Sequence, residues 1–164
     1  MQMIPAALHR AVLRIVHPLA RAVWRVTRPS VSGAYVLITR DRDTPDEAWL
    51  LVANTYKSGL TLPGGGIAPD ESPRAAARRE TIEEVGLDFD ESRFTPRDDF
   101  EIEYLHRLDH VHFFEVELEA DEAVSPRADG REIAWAEFRR RDDVPVGELT
   151  PPVRRYLDRL AGRG

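Results

Sequence analysis

The chain of 164 residues contains no cysteine. This absence excludes disulfide bonds, thiolate nucleophiles and cysteine-based zinc sites, and it carries no information about the cellular compartment. No stretch of 18 or more apolar residues occurs either, so the sequence predicts no membrane-spanning helix. The composition is 42% hydrophobic and 32% charged. Such a composition is typical of one globular domain large enough to bury a real core.

Acidic residues are absent from the first 30 positions, which carry five arginines: Arg10, Arg14, Arg21, Arg25 and Arg28. The rest of the chain holds 18 basic and 29 acidic residues. The net charge of −6 therefore divides into +5 for the N-terminal segment and −11 for the remainder. A body this acidic argues against broad binding of nucleic acid. It fits a protein that recruits cations before it meets a phosphate.

Apolar residues recur at helical spacing between Ile4 and Val26, opposite a face of arginines. The pattern predicts an amphipathic helix within residues 1–29, kinked near Pro18, ahead of a domain over residues 30–164. Three interpretations of this helix stay open. We favour docking on the domain or on a second copy of the chain, which would make a homodimer. The others are binding to an anionic membrane surface and organelle targeting, although the segment is poor in serine.

Alternation of apolar and polar residues predicts strands in the rest of the chain. They cover Ser32–Arg40, Ala48–Asn54, Phe100–Tyr104, His112–Leu118 and Glu132–Phe138. A turn near Arg107–Asp109 would join the third and fourth strands into a hairpin. Thr150 would cap a C-terminal helix that begins at Pro151. With a further helix between the second and third strands, the pattern predicts an α+β fold in which a mixed sheet lies between helices.

That further helix lies in the most informative stretch, which runs from Gly65 to Leu87 and reads GGIAPDESPRAAARRETIEEVGL. Ser72 is a good N-cap, and Pro73 stands at the first helical position, where its missing N–H costs nothing. Gly86 would end the helix as a left-handed cap.

Three glutamates of this helix are placed against the usual preferences of helices. Glu80, Glu83 and Glu84 share one face, where like charges repel. They also crowd the C-terminal turns, where the helix dipole disfavours anions. A sequence that breaks two local rules at one place usually serves a site. Clustered carboxylates beside a glycine-rich turn are oxygen ligands suited to Mg²⁺ or Mn²⁺.

The stretch resembles the Nudix box, G-x5-E-x7-R-E-U-x-E-E-x-G-U, in which U is a bulky aliphatic residue. The matching positions are Gly65, Glu71, Arg79, Glu80, Glu83, Glu84, Gly86 and Leu87. Thr81 stands where an aliphatic residue is usual, and its branched shape should preserve the packing role. Ala68 and Asp70 stand where many relatives have a glutamate and a glycine. Aspartate tolerates the left-handed turn geometry that a glycine would adopt there.

The resemblance implies a Nudix-type α/β/α sandwich and hydrolysis of a nucleoside diphosphate linked to another moiety. Mg²⁺ or Mn²⁺ would be held by box glutamates and a backbone carbonyl, namely Glu80, Glu83, Glu84 and Gly64 or Gly65. Arg79 would pair with Glu71 and so hold the metal-binding carboxylates in place. We favour a nucleotide sugar or an ADP-ribose-like substrate over nucleoside triphosphates and dinucleoside polyphosphates.

The general base would come from a loop late in the sheet, as it often does in Nudix enzymes. Glu132 is our first choice and Asp129 the second, whereas we expect His110 and His112 to be structural. The substrate-binding loop would include Tyr56, Lys57 and Gly64. The alternative to an enzyme is a Nudix domain that binds nucleotides as a sensor or scaffold, and the intact Arg-Glu-x-x-Glu-Glu run argues against it. We expect a cytoplasmic protein whose partner is a small nucleotide.

Overall fold

The computed structural model describes residues 30–104, 107–119 and 121–162. Within these residues one mixed seven-stranded sheet and two α-helices make up the regular structure, together with three short 3₁₀ turns. The strands are β1 (Ser30–Arg40), β2 (Ala48–Asn54), β3 (Leu60–Thr61), β4 (Gly64–Gly66), β5 (Thr95–Tyr104), β6 (Arg107–Glu117) and β7 (Ile133–Arg140). The helices are α1 (Pro73–Val85) and α2 (Pro151–Ala161). The helix predicted within residues 1–29 lies outside the described residues.

Strand β1 is the centre of the sheet, whose main order is β3-β2-β1-β6-β5. It pairs in parallel with β6 along nearly its whole length, from Ser30 opposite Leu108 to Thr39 opposite Glu117. The other edge of β1 is shared, because β2 pairs with its C-terminal end and β4 with its N-terminal half. The glycine-rich β4 is thereby built into the sheet beside β1.

The two faces of the sheet carry separate apolar clusters, as the alternation of the strands predicts. On one face Ala34, Val36 and Ile38 pack with α1 residues such as Ala77. On the other face Leu37 and its neighbours pack with Val153 and Tyr156 of α2. The helices therefore cover opposite faces, and the predicted α/β/α sandwich with a mixed sheet is confirmed.

The predicted turn near Arg107–Asp109 is wrong. These residues begin β6, and Tyr104 pairs directly with Arg107. Asp109 belongs to the strand and is buried, so a charged residue that indicated a turn in the sequence is an inward-facing strand residue. Strand β5 also begins at Thr95, earlier than predicted.

Helix α2 begins at Pro151 with Thr150 as its N-cap residue, as predicted, but the cap is formed by the backbone of Thr150 alone. Its side chain makes no capping hydrogen bond to the helix. The Oγ1 atom instead lies 3.3 Å from Oγ1 of Thr61, to which it donates. Among the described helices, neither is long and apolar enough to cross a membrane.

Candidate active site

Helix α1 has the ends that the sequence predicts. The side chain of Ser72 accepts a 3.1 Å hydrogen bond from the N–H of Ala75, and Pro73 takes the first helical position. Gly86 ends the helix at φ 69°, and its N–H donates to the carbonyl of Ile82. These caps fix where the helix starts and stops, and therefore which face its glutamates occupy.

Thr81 keeps the packing role of the aliphatic residue that it replaces. The residue is fully buried. Its hydroxyl donates a 2.8 Å hydrogen bond to the carbonyl of Ala77 one turn earlier. The buried polar atom is thus satisfied within the helix and carries no desolvation penalty of its own.

The glycine turn passes very close to its neighbours, so that Gly64 admits no side chain and a side chain at Gly65 would displace the carboxylate of Glu80. At Gly64, with φ 150°, a Cβ atom would lie 2.2 Å from the carbonyl oxygen of Ala34. At Gly65 a Cβ atom would lie 2.6 Å from the carboxylate carbon of Glu80. Glycine at these positions lets the backbone of β4 lie directly against the glutamates of α1.

Glu84 is buried against this turn, with 7% of its surface exposed. Its Oε2 accepts a 2.8 Å hydrogen bond from the N–H of Gly64. Burial raises the pKa of Glu84 to about 8, and the nearby carboxylates of Glu80, Glu132 and Asp129 add to that rise. Burial also raises the pKa of Glu80. A bound cation would favour the ionised form of both carboxylates.

Arg79 holds several of the box residues at once. Its Nε and Nη2 donate to the two carboxylate oxygens of Glu71 at 2.8 and 2.9 Å, the pairing predicted from the sequence. Its Nη1 donates to Glu80 at 2.7 Å and to Glu83 at 3.2 Å. The hydrogen bonds from Arg79, followed by one from the N–H of Ala68, lower the pKa of Glu71 to about 2.

The loop before helix α1 accommodates Ala68 and Asp70, the two residues that depart from the usual Nudix pattern. Asp70 has φ 64°, the left-handed conformation in which a glycine is usual and which aspartate tolerates. Ala68 contributes its backbone N–H, which donates to Oε2 of Glu71 at 2.9 Å. The Arg79–Glu71 pair is therefore anchored to this loop without a glutamate at position 68.

Glu132 and Asp129 have different surroundings, although both come from the loop before β7. Glu132 adds to the rise in the pKa of both Glu80 and Glu84, whereas Asp129 adds to the rise at Glu84. The carboxylate of Asp129 accepts hydrogen bonds from the backbone N–H groups of residues 131 to 133. The carboxylate of Asp129 is thus engaged with the backbone of its own loop, and Glu132 as the general base stays a prediction.

Comparison with known proteins agrees with this geometry. The family model described as NUDIX domain matches residues 16–160. The chain belongs to the Nudix hydrolase family. The match begins inside the segment predicted as an N-terminal helix, and the boundary at residue 30 stays a prediction.

Diphosphoinositol polyphosphate phosphohydrolase 2 of Rattus norvegicus is 31% identical to this Nudix protein over 120 residues, which are 70% of this chain and 63% of the relative. The chain thus spans less than two thirds of that relative's length. Diphosphoinositol polyphosphate phosphohydrolase 3-beta of Bos taurus is 29% identical over 116 residues, 70% of this chain and 69% of the relative.

Among solved structures, a MutT Nudix hydrolase from Burkholderia pseudomallei superimposes with a TM-score of 0.65 at 21% identity. The superposition covers 79% of this chain and 96% of that one. At this level of identity the likeness concerns the fold. It is the α/β/α sandwich that the two chains share.

The Nudix protein brings a second loop to the site, between β2 and β3. Thr55 ties this loop to residues 131–132, because its N–H donates to the carbonyl of Glu132 and its Oγ1 to the carbonyl of Arg131, both at 2.8 Å. Tyr56 and Lys57 follow, with the ammonium 5.2 Å from the ring centre. The sequence did not point to Thr55, since only the folded pairing of β2 with β7 gives it these partners.

A pocket of about 400 Å³ opens between this loop and the segment before α2. It is lined by Ser58, Gly59, Tyr104 and residues 147–151. The last of these segments, Gly147–Pro151, was also missed by the sequence analysis. This segment is held next to the loop by a β-bridge between Leu149 and Leu60. The two residues are distant in the chain, so no local sequence pattern indicates the contact.

The residues of the box fit a divalent cation by their chemistry. Glu80, Glu83 and Glu84 offer carboxylate oxygens, the ligands that Mg²⁺ and Mn²⁺ prefer. The raised pKa values of Glu80 and Glu84 indicate that their negative charge is incompletely compensated. No three acidic or histidine side chains in the described part of the chain already converge as a metal site, and Arg79 holds Glu80 and Glu83 at present.

The two histidines of β6 lie in a different setting. The rings of His110 and His112 stack with their centres 4.5 Å apart, and Nε2 of His110 lies 3.3 Å from Oδ2 of Asp99. Both side chains are half-buried. These contacts agree with the structural role expected for them.

Proposed function

We propose that this Nudix protein is a divalent-metal-dependent pyrophosphohydrolase. It would cleave the phosphoanhydride bond of a nucleoside diphosphate linked to a second moiety. The observation that carries the proposal is the burial of the carboxylate of Glu84 against the glycine turn, where the N–H of Gly64 donates to it and Gly65 lies directly against the carboxylate of Glu80.

Mg²⁺ or Mn²⁺ would be held by Glu80, Glu83, Glu84 and the carbonyl of Gly65. The bound cation supplies charge neutralisation on the diphosphate and lowers the pKa of the attacking water. These four groups come from one helix and the turn packed against it, so they are presented on a rigid support.

Within this proposal the other residues are assigned the following roles. Arg79 orients Glu71 and Glu80, and the N–H of Gly64 orients Glu84. Glu132 accepts the proton of the attacking water as general base. Lys57 and Tyr56, on the loop joined to Glu132 through Thr55, bind a phosphate oxygen and the nucleoside respectively.

The pocket beside the loop favours a sugar as the second moiety. Its lining offers a hydroxyl at Ser58, an aromatic ring at Tyr104 and a carboxylate at Glu148, and it includes no lysine or arginine among the described residues. Sugar hydroxyls and an apolar ring face suit such a lining, whereas additional phosphates do not. We therefore favour a nucleotide sugar or an ADP-ribose-like compound over a nucleoside triphosphate, a dinucleoside polyphosphate or a diphosphoinositol polyphosphate.

Binding of a nucleotide without hydrolysis, as in a sensor or scaffold, is the second candidate. One observation favours it: Arg79 already neutralises part of the charge of Glu80 and Glu83. In a protein of this kind a nucleotide would bind and raise the melting temperature, and no cleavage would follow.

A substrate panel with phosphate-coupled detection tests the proposal. It would compare nucleotide sugars, ADP-ribose, dinucleoside polyphosphates, nucleoside triphosphates and a diphosphoinositol polyphosphate, each with Mg²⁺, Mn²⁺ or EDTA. We expect metal-dependent turnover that is fastest with a sugar-linked diphosphate. Full activity in EDTA would overturn the proposed mechanism, and binding without turnover across the panel would favour the sensor.

A further inference from the structure

We propose that Asp129 is a positioning residue that holds Glu132 toward Glu80 and Glu84. The inference rests on the proposed function, in which Glu132 is the general base. It concerns the loop of residues 129–132, which makes three sets of hydrogen bonds within the site. On the side of the loop, these bonds involve only its backbone groups and the carboxylate of Asp129.

The first connection is made by the carboxylate of Asp129. Its Oδ1 accepts hydrogen bonds from the N–H groups of Arg131 at 3.0 Å, Glu132 at 3.1 Å and Ile133 at 2.8 Å. Gly130 has φ 68°, which allows the chain to close around this oxygen, and its N–H donates to the carbonyl of Ile133. One oxygen thus fixes three consecutive backbone groups, including that of Glu132.

The second connection joins the loop to α1. The N–H of Asp129 donates to the carbonyl of Glu84 at 3.1 Å, and the N–H of Arg127 donates to the carbonyl of Val85 at 2.8 Å. These carbonyls lie at the C-terminal end of the helix, where no intrahelical donor remains for them. The loop is therefore placed relative to α1 through Glu84, a proposed metal ligand.

The third connection joins the loop to the segment after β2. Thr55 donates its N–H to the carbonyl of Glu132 and its hydroxyl to the carbonyl of Arg131. The backbone of Glu132 is consequently held on both sides, through its N–H by Asp129 and through its carbonyl by Thr55. The side chain of Glu132 therefore starts from a fixed backbone position, from which its charge acts on both Glu80 and Glu84.

These contacts also decide against Asp129 as the base. Its Oδ1 is occupied by three backbone donors, and its Oδ2 lies 3.2 Å from the N–H of Glu132, so both oxygens already have partners within the loop. Asparagine at this position retains a carbonyl oxygen that can accept the same bonds. Alanine removes the acceptor entirely, so the two substitutions separate geometry from charge.

The test compares Asp129→Ala and Asp129→Asn with the wild-type protein on the best substrate of the panel. A positioned base typically contributes 10²–10⁴-fold to the rate, so we expect kcat of Asp129→Ala to fall by about 10- to 100-fold. We expect KM to change less than about threefold, because the loop positions a group for the chemical step and does not bind the substrate. Asp129→Asn should retain kcat within about threefold, and Asp142→Ala, an exposed aspartate elsewhere, should match the wild type.

A double-mutant cycle with Glu132→Gln identifies the path of the effect. If Asp129 acts through Glu132, adding Asp129→Ala to Glu132→Gln should lower kcat by less than about twofold. Thr55→Val, which removes only one of the connecting bonds, should lower kcat less and show the same lack of additivity. If circular dichroism shows that Asp129→Ala fails to fold, Thr55→Val takes its place in the double-mutant cycle.

Three results would overturn the inference while leaving the proposed function intact. They are wild-type kcat in Asp129→Ala, an equal loss in Asp129→Asn, and losses that multiply in the double mutants. An equal loss in the asparagine variant would make Asp129 itself the proton acceptor. A folded wild-type protein that hydrolyses no member of the panel would instead overturn the proposed function, and the positioning role with it.

Discussion

The N–H of Gly64 donates a 2.8 Å hydrogen bond to Oε2 of Glu84, a residue 20 positions later in the chain. This bond is the direct link between the glycine turn and the buried carboxylate of the helix. It satisfies one oxygen of Glu84 and leaves the charge of the carboxylate to be balanced from another source.

We expect Glu84→Gln to abolish most metal-dependent turnover. Glutamine keeps the size of the side chain and can still accept the bond from Gly64, but it removes the negative charge that would bind the cation. The loss should amount to several kcal/mol of transition-state stabilisation, on the order of 10³-fold in rate. Steady-state kinetics with Mg²⁺ would measure it, with the exposed Glu91→Gln as control. Unchanged turnover would remove Glu84 from the metal site.

The stability of the metal-free protein should fall as the pH rises from about 4.5 to about 8. Burial raises the pKa of Glu84 in the folded protein to about 8, above its ordinary value of 4.5. The folded state therefore binds a proton that the unfolded state has released. The stabilisation is fully present below pH 4.5 and is lost as the pH passes through 8.

Thermal melting in EDTA across this pH range would measure the effect. Glu84→Gln is the matched control, since its side chain does not titrate, and its melting temperature should fall less than that of the wild type. Added Mg²⁺ should raise the wild-type melting temperature most at pH 8, because it binds the ionised site of the folded state. Parallel pH profiles for the two proteins in EDTA would contradict the prediction.

Arg79→Ala and Glu83→Gln should differ in their effect on stability. Removing Arg79 leaves Glu71 without its paired donors, so we expect lower activity and a loss of about 1–3 kcal/mol in the free energy of unfolding. Glu83 is largely exposed and lies beside like charges at the helix C-terminus. Its neutralisation should lower activity while stability is unchanged or higher.

Denaturant unfolding and kinetics of both variants would separate the two roles. Arg74→Ala removes the same charge from the first turn of the same helix and serves as the control for Arg79→Ala. Equal losses of stability in the Arg79 and Glu83 variants would mean that the structural role of Arg79 and the metal-binding role of Glu83 are wrongly assigned.

Some parts of this site could be predicted from the sequence, whereas others could not. Helix α1 and its two ends were predictable, because the capping effects of Ser72, Pro73 and Gly86 involve only residues within one helical turn. The Arg79–Glu71 pair followed from the resemblance to the Nudix box. The connections of Asp129 and Thr55 were not predictable, since each depends on loops that are brought together only by the pairing of β2 with β7.

The strands show the same limit. Long alternating segments such as β1 and β2 were recognisable, whereas β3 and β4 are two and three residues long and rich in glycine. Their pairing is imposed by the neighbouring strands. Asp109 misled the prediction because burial of a charged residue in a strand depends on tertiary surroundings.

The N-terminal segment carries the last prediction. Its apolar stripe needs a partner, and the body of the chain offers an acidic surface opposite to its five arginines. We expect residues 1–28 to dock on the domain or on a twofold-related copy. A protein starting at Pro29 should then melt at a lower temperature or change its mass in solution.

Calorimetry, light scattering and sedimentation with anionic vesicles would distinguish docking from membrane binding. If the shortened protein keeps its melting temperature and mass and loses only its binding to vesicles, the docking hypothesis is wrong. Loss of stability with no vesicle binding by either protein would support it.

The parallel pairing of β1 with β6 also bears on how the protein is made. Each residue of β1 from Ser30 to Thr39 pairs with a residue 78 positions later in the chain. At synthesis rates of about 5–20 residues per second, the first strand waits roughly 4 to 16 seconds on the ribosome before its partner exists. During that interval one edge of an apolar strand is open to other chains. The pairing therefore sets a length of chain that must be synthesised before the central strand of the sheet can be covered on this edge.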